Sequence, residues 1–153
     1  MKKIILSLLS GILLMVVCNM GGVQAAKLTK TEEKILNTIT KDFINTHNIT
    51  VDGYNFIPIK ASELYKDNLT AEQKSLLNVF ISISEKQIIG DFSPIFYLNK
   101  ENKNGFVLEK KLSGMNNLYY LSFDDKQQEW KITDKSSKKG SDLVDLGLLK
   151  SAD

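Results

Sequence analysis

The residue types that carry most enzyme and metal chemistry are scarce in this sequence. The 153-residue chain has one histidine, His47, and one cysteine, Cys18. A histidine can act as a general base near neutral pH, but His47 lies in a turn-prone stretch directly after a predicted helix. Such a histidine is usually solvated or interacts with the last carbonyl groups of the helix. We therefore expect no catalytic histidine, and no zinc site, because zinc prefers histidine and cysteine ligands.

The other candidate groups have simpler explanations. Asp124 and Asp125 could share a proton or bind calcium, but two aspartates followed by a lysine between two predicted strands are typical of a turn. Ser93 and Ser113 lack the Gly-x-Ser-x-Gly pattern of a nucleophile elbow, and there is no glycine-rich phosphate loop. The sequence predicts no catalytic residue, no cofactor and no metal ion.

The tyrosines are the last candidates for a ligand site. On a concave sheet they would give an apolar pocket with a few hydroxyl groups for a small ligand. We favour ordinary aromatic packing with the hydroxyl groups at the surface, because Tyr119 and Tyr120 are neighbours in a predicted strand and must point to opposite faces. The five are Tyr54, Tyr65, Tyr97, Tyr119 and Tyr120.

The charge of the chain argues against nucleic-acid binding. There are 20 basic and 18 acidic residues, and every basic residue is a lysine. Lys2 and Lys3 belong to the predicted leader described below, so the mature chain is close to neutral. Nucleic-acid-binding proteins use arginine and a clear positive excess. We expect no nucleic-acid partner.

The N-terminus has the features of a secretion signal. Two lysines precede an apolar run over residues 4–17, which is shorter than the about 20 apolar residues of a membrane span. Val23 and Ala25 are the small side chains that signal peptidase accepts before a cut. We predict a signal peptide over residues 1–25, cleaved before Ala26; a retained membrane anchor is the alternative.

Cys18 leaves a further alternative open. It ends the apolar run, where a bacterial lipoprotein carries its lipidated cysteine, although Val17 is bulkier than the Gly, Ala or Ser that usually comes before it. The protein is then exported in one of three forms: periplasmic, secreted, or tethered to the membrane through lipid on Cys18. In each form the folded domain has no disulfide.

Two helices are predicted from capping boxes, in which a threonine is followed three residues later by glutamate or glutamine. Apolar residues at helical spacing follow both boxes. The boxes are Thr29 with Glu32, before a helix over residues 31–46, and Thr70 with Gln73, before a helix that reaches about Gln87. The first helix is expected to carry Asp42 on its polar side.

The second half of the chain predicts an antiparallel meander. Alternating segments over residues 94–98, 106–112, 118–123 and 130–133 are separated by short polar turns, which allow only antiparallel neighbours. The fold class is α+β: N-terminal helices packed on a curved antiparallel sheet, in one domain over residues 26–134.

Beyond this domain, residues 135–153 predict a polar link and an apolar C-terminal segment. The link is rich in Lys, Ser and Gly over residues 135–141, a composition typical of flexible connections. The apolar residues after position 142 could dock on the domain as a final strand or helix, or bind a partner.

This order of elements resembles the nuclear-transport-factor-2-like (cystatin-like cone) superfamily, and in particular its small bacterial secreted or lipoprotein members. The resemblance covers residues 31–134 and is sharpest over 118–134, where Tyr-Tyr-Leu-Ser-Phe, a polar turn and Trp-Lys-Ile-Thr follow one another. That superfamily contains isomerases, dehydratases and non-catalytic domains, so the fold alone implies no function. Its enzymes use an Asp or His inside the cone, and no such motif can be matched here.

We expect an exported, non-enzymatic domain that binds a protein partner or a small ligand at the cell envelope. The alternative is a cone-fold enzyme of isomerase or dehydratase type, acting on a small apolar substrate through a buried aspartate and tyrosine. It would need an enclosed pocket and a carboxyl group with a raised pKa. A structural or inhibitory domain, such as an immunity factor, is a third hypothesis.

The intact mass of the mature protein from its native host tests the export prediction. We expect a chain that begins at Ala26 and is found in the soluble fraction, because the cleavage site is well formed. A chain that begins at Cys18, carries acyl groups and is found in the membrane fraction would replace this with a lipoprotein.

Overall fold

The computed structural model describes residues 28–59 and 68–148. These form two helices and five strands in an α+β arrangement, as the sequence predicted. In chain order they are α1 (Lys30–His47), β1 (Asn55–Ile57), α2 (Ala71–Ser84), β2 (Ile95–Asn99), β3 (Asn104–Lys110), β4 (Met115–Asp124) and β5 (Glu129–Lys139). Among the described residues, no helix is long and apolar enough to cross a membrane.

Both helices begin at the predicted capping boxes. The Thr29 hydroxyl accepts from the Glu32 amide, and the Glu32 carboxylate accepts in return from the Thr29 amide. Thr70 and Gln73 repeat this exchange at the start of α2. Helix α2 ends at Ser84 rather than near Gln87, since the chain continues from there in tight turns.

The strands pair in sequence order, β1-β2-β3-β4-β5, and every neighbouring pair is antiparallel. This confirms the predicted meander. The sheet is open, with β1 and β5 as its edges. Strand β1 was not predicted, because it is only three residues long and Pro58 follows it directly.

The two helices lie on opposite faces of the sheet. Side chains alternate along a strand, so Ile95 and Tyr97 pack with α1, whereas Phe96 and Leu98 pack with α2. The core is therefore two apolar layers, one on each side of a sheet that both helices cover.

The predicted flexible link over residues 135–141 is largely part of strand β5. Residues 135–139 are the second half of a continuous strand that pairs with β4 as far as Met115 and Lys139. Its inward-facing main-chain groups are paired in the β4 ladder and its other main-chain groups face outward, so it needs no apolar side chains to be ordered. The composition was polar because this half of β5 is an exposed edge and not because it is flexible. A domain boundary at residue 134 is accordingly wrong.

The C-terminal segment is part of the core as far as it is described. Leu143 is 2 % exposed and belongs to the apolar layer under α1. Leu146 and Leu148 pack against the same layer from a turn closed by backbone hydrogen bonds. The segment is thus a docked turn, neither a final strand or helix nor a free partner-binding tail.

Leu143→Ala should lower the free energy of unfolding by about 2–4 kcal/mol, because it leaves a cavity beneath α1. Val144→Ala is the matched control: Val144 is 46 % exposed, and its truncation should change stability by no more than about 0.5 kcal/mol. Urea denaturation measures both. Equal effects of the two substitutions would mean that the segment does not dock as described.

Candidate functional site

The residues proposed for processing lie outside the described part of the chain. These are Cys18, Ala25 and Ala26, with the signal peptide over residues 1–25. Tyr65 also lies outside the described residues.

We expected His47 to be solvated or to interact with the last carbonyl groups of α1; it is instead buried at the end of α1 and bonded to strand β4. Strand β4 passes the helix end, and the His47 Nε2 lies 3.1 Å from the main-chain oxygen of Asn116, to which it donates. Its ring stacks on Phe43 with 5.6 Å between centroids. Burial lowers the pKa of His47 and the charge of Lys138 adds to this, against the opposing effects of Asn116 and Asp42. The neutral ring therefore acts as a packing and hydrogen-bonding group.

The two turn aspartates behave as predicted. Asp124 accepts from the amides of Lys126 and Gln127, the usual pattern of an aspartate that closes a turn. Its pKa is lowered, mainly by the hydrogen bond from Lys131. Asp125 instead pairs with Lys103. The two carboxylates bind different lysines and do not form a joint site.

A buried ion pair lies on the α1 face of the sheet. The Lys110 ammonium, with its side chain 0 % exposed, is 2.8 Å from Asp42 Oδ2. It also donates to the Asn116 side-chain oxygen at 2.8 Å and to the Ser141 carbonyl at 2.6 Å. We call Asp42, Lys110, Asn116 and Ser141 the α1-face cluster. Asp42 was expected on the polar side of α1, but it faces the sheet.

The carboxylate of the α1-face cluster is fully engaged. Asp42 Oδ2 accepts from the Asn116 amide at 2.7 Å, and Asp42 Oδ1 accepts from the Ser141 main-chain amide at 3.1 Å. The chain passes so close at Gly140 that a Cβ there would overlap both Asp42 and Asn116. Burial raises the pKa of Asp42, but the hydrogen bonds from Lys110, Asn116 and Ser141 together lower it below its ordinary value. The group stays charged and paired.

A second polar cluster lies directly behind the first, on the α2 face. Glu109 Oε2 accepts from the Asn117 amide at 2.7 Å and from the Tyr119 hydroxyl at 2.8 Å. The Lys111 ammonium bridges Glu109 and Asp91, at 2.8 Å and 2.9 Å. We call these five residues the α2-face cluster.

The α2-face cluster is also arranged to hold charges in place. Burial raises the pKa of Tyr119, and the Glu109 carboxylate raises it further. The pKa of Lys111 is raised despite its partial burial, because Glu109 and Asp91 accept its protons. Burial raises the pKa of Asp91. The amides of Ile88 and Leu112 and the Lys111 ammonium outweigh this effect, so the pKa is lowered overall. These shifts oppose the use of Tyr119, Lys111 or Asp91 in proton transfer near neutral pH.

The tyrosines in the described part of the chain do not converge on one pocket. Tyr97 lies on the α1 face, and its hydroxyl is 2.9 Å from the Thr40 hydroxyl. Tyr119 lies on the opposite face, where it bonds to Glu109. Tyr54 packs on Phe106 with 4.6 Å between ring centroids. Aromatic packing is therefore their role, although the hydroxyl groups of Tyr97 and Tyr119 are bonded inside the protein rather than at its surface.

An open groove runs between α2 and the first half of β5, with a volume of about 280 Å³. Residues of α2 between Ser75 and Ser82 form one wall, and residues 129–132 of β5 form the other. Ile132 is 39 % exposed, while the Trp130 amide donates to the Ser75 hydroxyl at 2.8 Å. We call this the α2–β5 groove. Neither motif nor composition indicated it, because it depends on α2 packing beside an edge strand.

In residues 28–59 and 68–148, no three or more His, Cys, Asp or Glu side chains are grouped so as to hold a metal ion. No protein-family model, curated protein or solved structure matches this chain. The resemblance to the nuclear-transport-factor-2-like superfamily thus stays a prediction, and the site has to be interpreted from its own geometry.

Asp42→Asn should lower the free energy of unfolding at neutral pH by about 3–5 kcal/mol, because it leaves the Lys110 charge buried without a counter-ion. The lowered pKa of Asp42 means that its contribution is present above the pKa of the unfolded carboxyl and is lost as pH falls through the folded one. The variant should therefore lose less stability than the wild type on acidification.

Asp125→Asn is the matched control, since Asp125 is in an exposed pair with Lys103. Its stability and acid dependence should stay close to those of the wild type. Denaturant titrations across the acid range give both values. If Asp42→Asn and Asp125→Asn behave alike, the α1-face cluster does not contribute to stability as its geometry indicates.

Proposed function

We propose that this chain is an exported, non-enzymatic domain that binds a partner protein, with the α2–β5 groove and the exposed edge of β5 as its binding site. The observation that carries the proposal is the open edge itself. Among the described residues β5, with 11 residues, is the longest strand, and it pairs there with β4 alone. From residue 131 to 139 every residue except Ser136 is exposed.

The shape of the groove favours a protein segment over a small ligand. Small-molecule sites are usually enclosed and bury most of the ligand, whereas the α2–β5 groove is open along its length. An open groove beside an edge strand suits an extended segment that adds main-chain hydrogen bonds to the sheet.

The buried polar groups support a binding function over catalysis. The enzymatic alternative needs a carboxyl group with a raised pKa next to a substrate pocket. The buried carboxyl groups of Asp42 and Asp91 have lowered pKa values instead. Each is held by a lysine and by main-chain amides. Export is supported by the N-terminal sequence.

Site-specific photo-crosslinking tests the proposed site. A photoreactive side chain in place of Ile132, in the protein expressed and exported by its native host, should give a discrete covalent adduct with another exported protein. The same side chain in place of Lys34, on the exposed side of α1, is the control and should give none. Adducts of equal yield from both positions, or none from position 132, would refute the α2–β5 groove as the binding site.

A further inference from the structure

We infer that the partner segment is an acidic, extended strand that pairs with the outer edge of β5 between residues 132 and 139. The inference rests on the proposed function and specifies the chemistry of the partner at the same site. Two independent features of β5 carry it, namely the direction of its main-chain amides and the distribution of its charges.

The first feature is the direction of the amides in the second half of β5. In an antiparallel pair, alternate residues direct their N–H and C=O groups toward the partner strand and away from it. The Gly140 amide donates to Gly114, so positions 138 and 136 also face β4, and positions 139, 137 and 135 face outward. The Lys135 amide agrees with this, since it donates to the Asp134 side chain instead of to β4.

In the first half of β5 the even-numbered residues face outward instead, because a bulge opposite Tyr120 and Leu121 shifts the register. The Trp130 amide points away from β4 and donates to Ser75 on α2, so the alternation directs Ile132 outward as well. Helix α2 thus covers the edge at Trp130 and leaves it open from Ile132 onward. This gives an incoming strand a run of outward-facing main-chain groups beside the groove.

The second feature is the charge of this run. Residues 131–139 contain four lysines and one aspartate, in a chain that is otherwise close to balance. At the two ends of the run, Lys131 pairs with Asp124 and Lys139 pairs with Asp142. Within the described part of the chain, Lys135 and Lys138 form no ion pair.

These two central lysines face opposite sides of the sheet. Lys135 is on the α2 side, with its ammonium 4.8 Å from the centre of the Tyr119 ring. Lys138 is opposite Asn116, on the α1 side. An added strand has side chains on both sides of the sheet, so acidic residues on either side would meet a lysine.

The same charges argue against a second copy of this chain as the occupant. Pairing β5 with β5 would bring the four lysines of each copy together, and like charges on neighbouring strands are destabilising. Lysines on edge strands prevent self-association in this way. They leave the edge open to a strand of opposite charge.

Peptide binding followed by fluorescence anisotropy tests the inference. The probe is a short labelled peptide of alternating glutamate and valine with blocked ends. One control alternates lysine and valine, and another is the Glu–Val peptide N-methylated at every amide, which keeps the charge but cannot form strand hydrogen bonds. We expect the Glu–Val peptide to bind and both controls to fail.

Variants of the protein locate the contact. The double charge reversal Lys135→Glu/Lys138→Glu should weaken binding of the Glu–Val peptide by about tenfold or more. The matched reversal on α1, Lys34→Glu/Lys41→Glu, has the same charge change at exposed positions and should alter affinity by less than about twofold. Asp134→Ala should tighten binding, because it removes the one acid of the run and frees the Lys135 amide.

Each contrary outcome has a separate meaning. Equal binding of the N-methylated peptide would overturn strand pairing and leave only charge attraction. Equal binding of the Lys–Val peptide would refute an acidic partner but would not refute the α2–β5 groove as the binding site. No binding by any peptide would overturn the inference and leave the lysines as protection of the edge, while the crosslinking at Ile132 would still decide the proposed function.

Discussion

The Asp42–Lys110 ion pair is the interaction on which the arrangement of this domain most depends. Burying two such charges costs several kcal/mol for each ion, and the cost is offset only where good geometry and further hydrogen bonds are present. Here those bonds come from Asn116 and Ser141. The cluster thereby joins α1, β3, β4 and the segment after β5. A shift of β3 by one residue would turn Lys110 to the other face, so the pair also specifies the register of the sheet.

The α2-face cluster stands behind the α1-face cluster on neighbouring residues of the same strands. Lys110 is paired with Asn116, and Glu109 is paired with Asn117, in adjacent rungs of the β3–β4 ladder. One end of the sheet is therefore polar on both faces, although both faces are covered. Buried charges at this end are used to hold the layers together. The partner that we propose would instead contact the outer surface, at the open edge of β5.

The sequence predicted the features that depend on neighbouring residues. Capping boxes predicted both helix starts, and alternation predicted four of the five strands. The second half of β5 was missed because an exposed edge strand needs no apolar face, and only its pairing with β4 reveals it. The sequence did contain a signal for the burial of Lys110, since alternation places Lys110 on the same face of β3 as the apolar residues Phe106 and Leu108. Alternation assigns a face but cannot show that a helix covers it, and still less that Asp42 lies within reach.

In the complex that we propose, the lysines of β5 would protect an edge and select its partner at once. Protection against self-pairing requires only that like charges meet when two copies approach. It does not require that the positive charge be concentrated at the middle of the strand. In this domain Asp124 and Asp142 neutralise the lysines at the ends of the open run, and Lys135 and Lys138 between them form no ion pair with any residue of 28–59 or 68–148. The positive charge is thus concentrated beside the outward-facing amides of Lys135 and Ser137, where an added strand would place its side chains.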